Sequence, residues 1–559
     1  MMEKTVIAPC VRYLERMHNL LAILFLLILA VPVRAQSDGL LEIDGEIERF
    51  LLRQQTAGRL NDAILTHRPL SVPEARAMLA SLDVNDPVDR RLRDQYLGRS
   101  EPYPGATWAQ GIWSQAFANG RDLFSWGDST WAIQAGYVLD MQMGRAYFGE
   151  DPLDRDYRNV WNFGRGFRFS GHAGSHVYFE LNLTENAEQV VDPEFRSGTA
   201  PGRPSTRLSE GGAYRWMDTR AIVGFRTSHF DVRFGRDTNL WGPGARSTAL
   251  SHLVTTYDQV QIRATLGRFQ YVSLLYSPAI LDTGDSFRPR KYAAAHRISA
   301  RITDRIELSA FETVVFATDS LGNRARFDLA YANPIIFLRA AERDRGSPDN
   351  ALLGVGVSWR PVDGLKLYGE FLLDEFSAEE RGTAWWANKW AWQIGGHMVP
   401  NFLPRSDVRI EFARMRPFLY AHKETFNSYT HFGDVLGHPS GSNAWNLFAE
   451  GSWSASRRLV LTAILDWTKQ GVNTTENLGS DPNLSYSSRA KEYGNGFLQG
   501  NLTDTRILSG MASFEVLPAI YLDGGLAVFS RTREQGSNQS FVLPRVGIRW
   551  HATRTHYSR

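Results

Sequence analysis

The feature that most constrains this chain is a two-residue rhythm with unequal punctuation. Within 177–184, Val177, Phe179, Leu181 and Leu183 fall on one side, and Tyr178, Glu180, Asn182 and Thr184 on the other. A strand sends successive side chains to opposite faces, so one face needs an apolar medium and the other a polar one. Segments of this kind recur almost to the C-terminus, joined alternately by a tight turn and a long loop. A secreted β-sandwich or propeller also alternates, but its turns come at even, short spacing. The unequal punctuation predicts an all-β transmembrane antiparallel barrel.

Nineteen segments carry the pattern: 130–143, 159–171, 174–186, 213–226, 228–236, 257–266, 268–277, 292–302, 305–317, 327–338, 352–361, 364–376, 389–399, 406–415, 445–454, 457–468, 505–516, 519–530 and 541–551. Tight connections fall at His172-Ala173, Thr227, Gly267, Thr303-Asp304, Val362-Asp363, Ala455-Ser456 and Leu517-Pro518. In a barrel these share one rim, so an even number of strands separates any two. The order holds to Thr303-Asp304 and slips by one before Val362-Asp363. The segment 327–338 is the one to remove, because Asn333-Pro334 breaks a ladder. About 18 strands remain, with both termini on the tight-turn rim, which outer-membrane barrels turn toward the periplasm. The outer loops are then 144–158, 187–212, 237–256, 278–291, 318–351, 377–388, 416–444, 469–504 and 531–540.

Ahead of the barrel, Arg12 and Arg16 precede an apolar core, and Val33-Arg34-Ala35 supplies small residues for cleavage. Residues 1–35 read as a secretory signal peptide cut after Ala35, with Met1 or Met17 as the start. Cys10, the sole cysteine, leaves with it, so the mature chain has no thiol, disulfide or cysteine-held metal. The mature chain keeps 58 basic and 58 acidic residues, a balance that gives no reason to expect nucleic-acid binding. Mean hydropathy is −0.31, too polar for a helical membrane protein but compatible with a barrel whose inward face is wet.

Residues 36–100 read as a small periplasmic helical domain. Ile43, Ile47, Phe50 and Leu51 recur at helical spacing, and Ser71-Val72-Pro73-Glu74 is a capping box ahead of Ala75, Met78, Leu79 and Leu82. A transition segment, 101–129, rich in Trp and Gly, leads into the barrel at 130–559.

Arg233-Phe234-Gly235-Arg236-Asp237 followed by Trp241-Gly242-Pro243-Gly244 resembles the Wzi-like capsule-assembly family of outer-membrane barrels. Asn333-Pro334-Ile335-Ile336-Phe337, Asp349-Asn350-Ala351-Leu352-Leu353-Gly354 and Leu367-Tyr368-Gly369-Glu370-Phe371 resemble a second block of that family, especially its Bacteroidetes-type members, some of them called gliding-motility proteins. The likeness extends over nearly all of the mature chain. It implies an 18-stranded barrel with periplasmic helices and a lectin-like role in holding capsular polysaccharide or exopolysaccharide. The enlarged loops 416–444 and 469–504 depart from the simplest members, so glycan specificity does not carry over.

Trp241-Gly242-Pro243-Gly244 reads either as a rigid loop presenting Trp241 beside Arg236 and Asp237 to glycan, or as a plug that narrows the lumen. Gly242, Pro243 and Gly244 shape that loop, and Asn333 and Pro334 shape another. In Trp385–Trp392, Trp386, Trp390 and Trp392 share parity and suit an interfacial girdle, whereas Trp385, Trp386 and Asn388 lie nearest the loop and suit glycan contact. Lys366, Glu370 and Asp374, then Asp407, Arg409 and Glu411, then Arg545 and Arg549 are inward charges expected to pair across the lumen. His422, His431 and His438 read as solvated loop residues spaced too loosely for a metal. Asp349-Asn350 and Asp374-Glu375 offer oxygen ligands that only weakly suggest calcium. No Gly-x-Ser-x-Gly elbow, phosphate loop or His-Glu-x-x-His is present.

The expected protein is a non-enzymatic, monomeric outer-membrane barrel without cofactor or metal. Its expected partners are surface polysaccharide, the surrounding outer-membrane lipid and lipopolysaccharide, and barrel-assembly machinery, which would read the last strand. The rival readings are a porin or substrate-specific channel, an outer-membrane enzyme, and a gliding-motility or adhesion component. A lumen plugged by loops 237–256 and 318–351 would count against the channel.

Overall fold

The computed structural model describes residues 39–97, 122–127, 130–148, 156–189, 191, 206–207, 213–280, 290–316, 329–334, 349–517 and 519–552. The expected signal peptide and most of the expected transition segment lie outside these residues.

Among the described residues, eighteen long strands close into a barrel, every neighbour antiparallel. They are β1 Trp131–Phe148, β2 Tyr157–Ala173, β3 Val177–Gln189, β4 Ala213–Arg226, β5 Phe230–Asp237 and β6 Tyr257–Leu266. Next come β7 Phe269–Ser277, β8 Tyr292–Arg301, β9 Ile306–Phe316, β10 Asn350–Val362, β11 Leu365–Glu375 and β12 Lys389–Met398. The circuit ends with β13 Ser406–Met415, β14 Ala444–Ser454, β15 Leu459–Val472, β16 Asn501–Leu517, β17 Ile520–Arg533 and β18 Gln539–Trp550. Strand β18 closes on the far half of β1, with Val542 opposite Tyr147 and Trp550 opposite Leu139. The near half of β1 is taken by Phe124–Gly127, which pairs with Ala132–Ala135. Within the expected transition segment, Phe124–Gly127 is therefore a short strand.

The strand set follows the alternation, but several strands outrun it. Strand β1 continues to Phe148, β15 to Val472, and β16 begins at Asn501. Ladder hydrogen bonds need only backbone, so strands extend above the apolar band where polar residues meet water. The first tight turn is Gly174-Ser175-His176, one step beyond His172-Ala173, with Gly174 in the left-handed region at φ +64°. The removed candidate 327–338 is indeed no strand in its described part. Leu329–Ala332 is a 3-10 turn. It lies on the outer wall, where Tyr331 packs 4.6 Å from Phe316 and the Tyr271 hydroxyl donates to the Pro334 carbonyl.

The two faces separate as their chemistry demands. Outward positions are apolar: Val355, Val357 and Trp359 on β10, Ile394 on β12 and Leu522, Leu526 and Val528 on β17 are all exposed. Inward positions carry the charges: Lys366, Glu370, Asp374, Asp407, Arg409, Glu411, Arg545 and Arg549 are all buried in the lumen. A closed barrel leaves no sheet edge unpaired, so only such a two-faced sheet can sit in lipid.

Among the described residues, three helices precede the barrel: α1 Glu46–Thr56, α2 Val72–Ser81 and α3 Pro87–Tyr96. Phe50, Leu51, Leu70 and Leu79 form their apolar core at 0% exposure. The polar side of α1 is buried too, at Glu48, Arg49, Arg53 and Gln54. A helix buried all round is surrounded, and here the second wall is the lumen. Arg53 lies 3.8 Å from Asp407, Thr56 bonds His397 at 2.8 Å, and Arg49 pairs with Glu450. The helices are thus docked against the barrel's inward face. The capping box is spent on the same contact: Ser71 makes no side-chain cap, its hydroxyl accepts from Arg226, and Glu74 meets Arg263 at 2.5 Å.

Candidate functional site

The centre of the lumen is built by two segments far apart in sequence. The two-residue strand His67–Arg68 pairs with Leu240–Trp241, the start of the loop after β5. The Gly242 amide donates to the Thr66 carbonyl at 2.8 Å, and Arg68 donates to the carbonyls of Gly242 (3.0 Å) and Gly244. The barrel wall grips the same loop through inward carboxylates. Glu411 accepts from the Ala245 and Arg246 amides at 2.6 and 3.2 Å, and Glu370 from the Ser247 hydroxyl and Thr248 amide at 3.0 and 3.1 Å. Gly242 has φ +116°, and a Cβ there would lie 1.9 Å from a Glu370 oxygen. The glycine is required both by conformation and by the carboxylate against it.

Long loops complete the filling from the other rim. The Tyr420 and Tyr429 hydroxyls donate to the Thr248 and Ala249 carbonyls at 2.9 and 2.8 Å, and the Ser251 amide to the Leu436 carbonyl at 2.7 Å. The loop 416–443 therefore folds inward onto the loop 238–256. The expected partner in plugging, 318–351, does not share this role in its described part, which sits outside the wall. The N-terminal segment takes its place. A cavity of about 460 Å³ remains beside the plug, lined by Asp140, Asn162, Arg168, Trp216, Arg220 and His252 among others.

At the long-loop rim, Trp385 and Trp386 meet the loop 473–500. Both indole N–H groups donate to one Glu492 oxygen, at 2.9 and 3.0 Å. Arg489 also binds Glu492 (2.9 Å) and lies 4.5 Å over the Trp386 ring, against which Tyr486 packs at 4.4 Å and Phe418 at 6.1 Å. The Trp385 indole and Arg489 hold the Glu492 carboxyl below the usual carboxylate range. Trp386 is buried, while Trp385 is half-exposed and the neighbouring Tyr493 is 50% exposed. This leaves an aromatic and charged surface at the mouth, the combination that stacks on sugar rings and bonds their hydroxyls.

The structure divides the residues singled out from sequence. Asp237 is buried and pairs with Arg220 at 2.7 Å, whereas Arg236, one step along β5, faces outward and binds Asp258 at 2.7 Å. Strand period two therefore separates Arg236 from Trp241 and Asp237. Trp241 has 0% exposure and belongs to the apolar core of the plug, so of its two readings the structure matches the plug. Asn388 is buried, accepting from the Ser377 amide and donating to the Glu380 carbonyl. Trp390 and Trp392 do face outward, with Trp392 beside Phe412, but Trp386 packs into the loops and leaves the girdle. Gly244 is squeezed between Glu411 and Gln393, as a loop-shaping residue should be. Asn333 is exposed.

His422, His431 and His438 are not solvated: all three are buried. Burial, with Lys389 nearby, lowers His422 to about 4, and burial lowers His431 to about 3. Asp374 and Glu375 both bind Lys389, at 3.1 and 3.2 Å, a use that occupies the suggested calcium oxygens. Sequence reasoning missed Arg489 and Glu492, because loop residues bear no periodicity and meet Trp385 and Trp386 only across about a hundred residues of chain.

The family model described as Capsule assembly protein Wzi matches residues 150–517. Among solved structures, the chain is similar to Wzi of Escherichia coli, described as a carbohydrate-binding β-barrel involved in group 1 capsule assembly. The identity is 14%, the TM-score 0.55, and the alignment covers 91% of this chain and 99% of that one. OpdK of Pseudomonas aeruginosa is a more distant likeness, at 9% identity and TM-score 0.40 over 74% of this chain and 98% of that one. No curated protein matches the chain.

Proposed function

Because this chain belongs to the Wzi capsule assembly family, we propose that it is an outer-membrane barrel that holds capsular polysaccharide or exopolysaccharide at the cell surface. The long loops face outward and the tight turns, with the N-terminal helices, face the periplasm. Two features support this reading: the filled lumen and the Trp385–Arg489–Tyr493 surface at the mouth. The observation that carries it is the shared grip of Trp385 and Trp386 on Glu492, which fixes one ring half-open to solvent while the other anchors it. The reading is non-enzymatic: Glu370 and Glu411, the buried carboxylates nearest the loop, are engaged by its backbone amides. The test is binding of the detergent-solubilised protein to a panel of surface polysaccharides. Retention of one polymer by the wild type, and loss of at least tenfold in affinity in Trp385→Ala, supports the reading. Equal, featureless binding across the panel ends it.

The cavity beside the plug favours one second reading, passage of small hydrophilic solutes along the lumen. Conductance across planar bilayers separates the two, since a holding protein with this plug conducts little.

A further inference from the structure

The outer wall below the long-loop rim carries cations where a barrel normally carries only rings. Arg414 on β13, Trp445 on β14, Lys469 on β15 and Asp504 on β16 form one cross-strand row. The next row toward the tight turns is Phe412, Leu447, Trp467 and Arg506. All eight are on the outward face, since their sequence neighbours Ala413, Asp466 and Ile507 are the buried, inward ones. Below the rows the wall is apolar through Ile410, Leu465 and Leu508.

The cations lie against the rings. Arg414 sits 4.0 Å over Phe497 and 5.9 Å from Trp390, Lys469 sits 6.0 Å from Trp445 and 5.9 Å from Trp467, and Arg506 is 4.8 Å over Trp467. One acid answers three bases. Asp504 binds Lys469 at 3.2 Å and Arg506 at 2.9 Å, and accepts from the Trp467 indole at 2.9 Å. Arg414 has no carboxylate among the described residues, and its Nε is buried without a hydrogen-bond partner. The Lys469 and Arg506 side chains remain 30% and 57% exposed.

We propose that this patch binds the phosphorylated sugar headgroup of an outer-leaflet glycolipid. Charge and position argue for this occupant. An excess of cations on a wall otherwise built for acyl chains calls for an anion that arrives with the lipid. Arg414 and Lys469 are two strands apart, roughly 10 Å at normal strand spacing. Two phosphates carried on a disaccharide can meet both at once. Guanidinium forks bind phosphate oxygens in pairs, and the Trp445 and Trp467 rings, 5.1 Å apart and crossing at 68°, add indole surface for sugar to pack against. A hydrated surface polymer fits less well, because Leu447, Leu465 and Phe412 beside the cations would face water. The inference rests on the orientation proposed above, with the long loops at the outer leaflet.

The experiment uses the full barrel in nanodiscs of phosphatidylcholine, with or without bis-phosphorylated lipid A, read by native mass spectrometry. Wild type should retain lipid A through exchange into plain lipid. Arg414→Gln/Lys469→Gln/Arg506→Gln should lose at least tenfold of it. Monophosphoryl lipid A should be retained at an intermediate level. Heat-dependent gel mobility confirms that the variant is closed. Retention unchanged in the triple variant overturns the proposal, as does displacement of lipid A by a soluble anionic polysaccharide, which would assign the patch to polymer. Orientation is tested apart. Gly496→Cys places a thiol where a Cβ meets nothing within 4 Å, and an impermeant maleimide should label it on intact cells. Absence of label there, with lipid A still bound in nanodiscs, would overturn the orientation and hence the leaflet.

Discussion

His67 faces Trp241 across a two-residue antiparallel ladder at the centre of the barrel, their rings 6.3 Å apart and tilted by 49°. This pairing joins a segment before the first strand to a loop after the fifth. Neither half of the plug can be fully ordered alone: the loop's Gly242 amide needs the Thr66 carbonyl, and Arg68 needs the Gly242 carbonyl. An isolated two-stranded pairing is marginal in water, so the stability comes from the wall around it, chiefly Glu370 and Glu411.

Gly242→Ala tests that dependence. The added methyl would meet a Glu370 oxygen, at a backbone angle that L-residues resist. The expected cost to plug docking is roughly 2 to 4 kcal/mol. Barrel closure should survive, because the eighteen-stranded ladder is untouched, while the plug opens more often. Bilayer recordings should show a higher and noisier conductance than wild type. A silent trace identical to wild type would mean that the loop relaxes around the methyl.

Arg49 and Glu450 bridge helix α1 to strand β14, both nearly sealed from solvent. Removing one partner strands a charge, whereas removing both leaves only packing to repair. Arg49→Met should therefore weaken helix docking by about 3 kcal/mol, and Arg49→Met/Glu450→Leu by clearly less. Protease cleavage within 39–97, measured in detergent, reports the difference. Equal sensitivity of the single and double variants would show that the pair contributes little. Met and Leu are used so that volume is nearly kept.

Much of the fold was legible because a barrel repeats one simple demand at every strand. The alternation in 177–184 and the parity of Asp407, Arg409 and Glu411 each report a face directly, and the odd segment 327–338 betrayed itself through turn order. The plug was not legible in the same way. Helix α1 looks like an ordinary amphipathic helix, since Arg49 and Arg53 read as solvent-facing until the lumen supplies Glu450 and Asp407. Ser71 and Glu74 look like a cap until Arg226 and Arg263 claim them. Trp241 was recognisable as important, but a ring flanked by Pro and Gly reads the same whether it faces sugar or core. The rim was half legible: Trp385 and Trp386 stood out by density, while Arg489 and Glu492 carry no pattern at all.

Trp385 and Trp386 adjoin in sequence yet should fail differently. Trp386 is buried between Phe418, Tyr486 and the Arg489 guanidinium, so Trp386→Ala should cost about 3 kcal/mol of local order and loosen the loop 473–500. Trp385 is half-exposed, so Trp385→Ala should spare the loop and remove polymer binding. Limited proteolysis of the loop, beside polysaccharide affinity, separates the two effects. If Trp385→Ala opens the loop as much as Trp386→Ala, the ring is scaffold and the binding surface lies elsewhere.

Acid should loosen the long loops before it touches the barrel. His422 and His431 are held neutral, at about 4 and about 3, by burial first, with Lys389 adding to His422 and Lys291, Arg290 and Arg236 to His431. Each also accepts a backbone amide on its Nδ1, from Glu424 and Ala279 at 3.2 and 2.8 Å, a role that a protonated ring gives up. Because these values lie below the ordinary 6.5, the opened loop takes up protons that the closed loop refuses. Loop stability is then complete above about pH 6.5 and falls as pH drops toward 4. Cleavage of loop 416–443 by an acid-tolerant protease should rise about tenfold or more between pH 7 and pH 4.5, with the enzyme's own pH profile divided out on a denatured substrate. His422→Gln/His431→Gln keeps side-chain acceptors without a basic site, and should flatten that rise. A rise of the same size in the double variant would place the acid sensitivity in other groups.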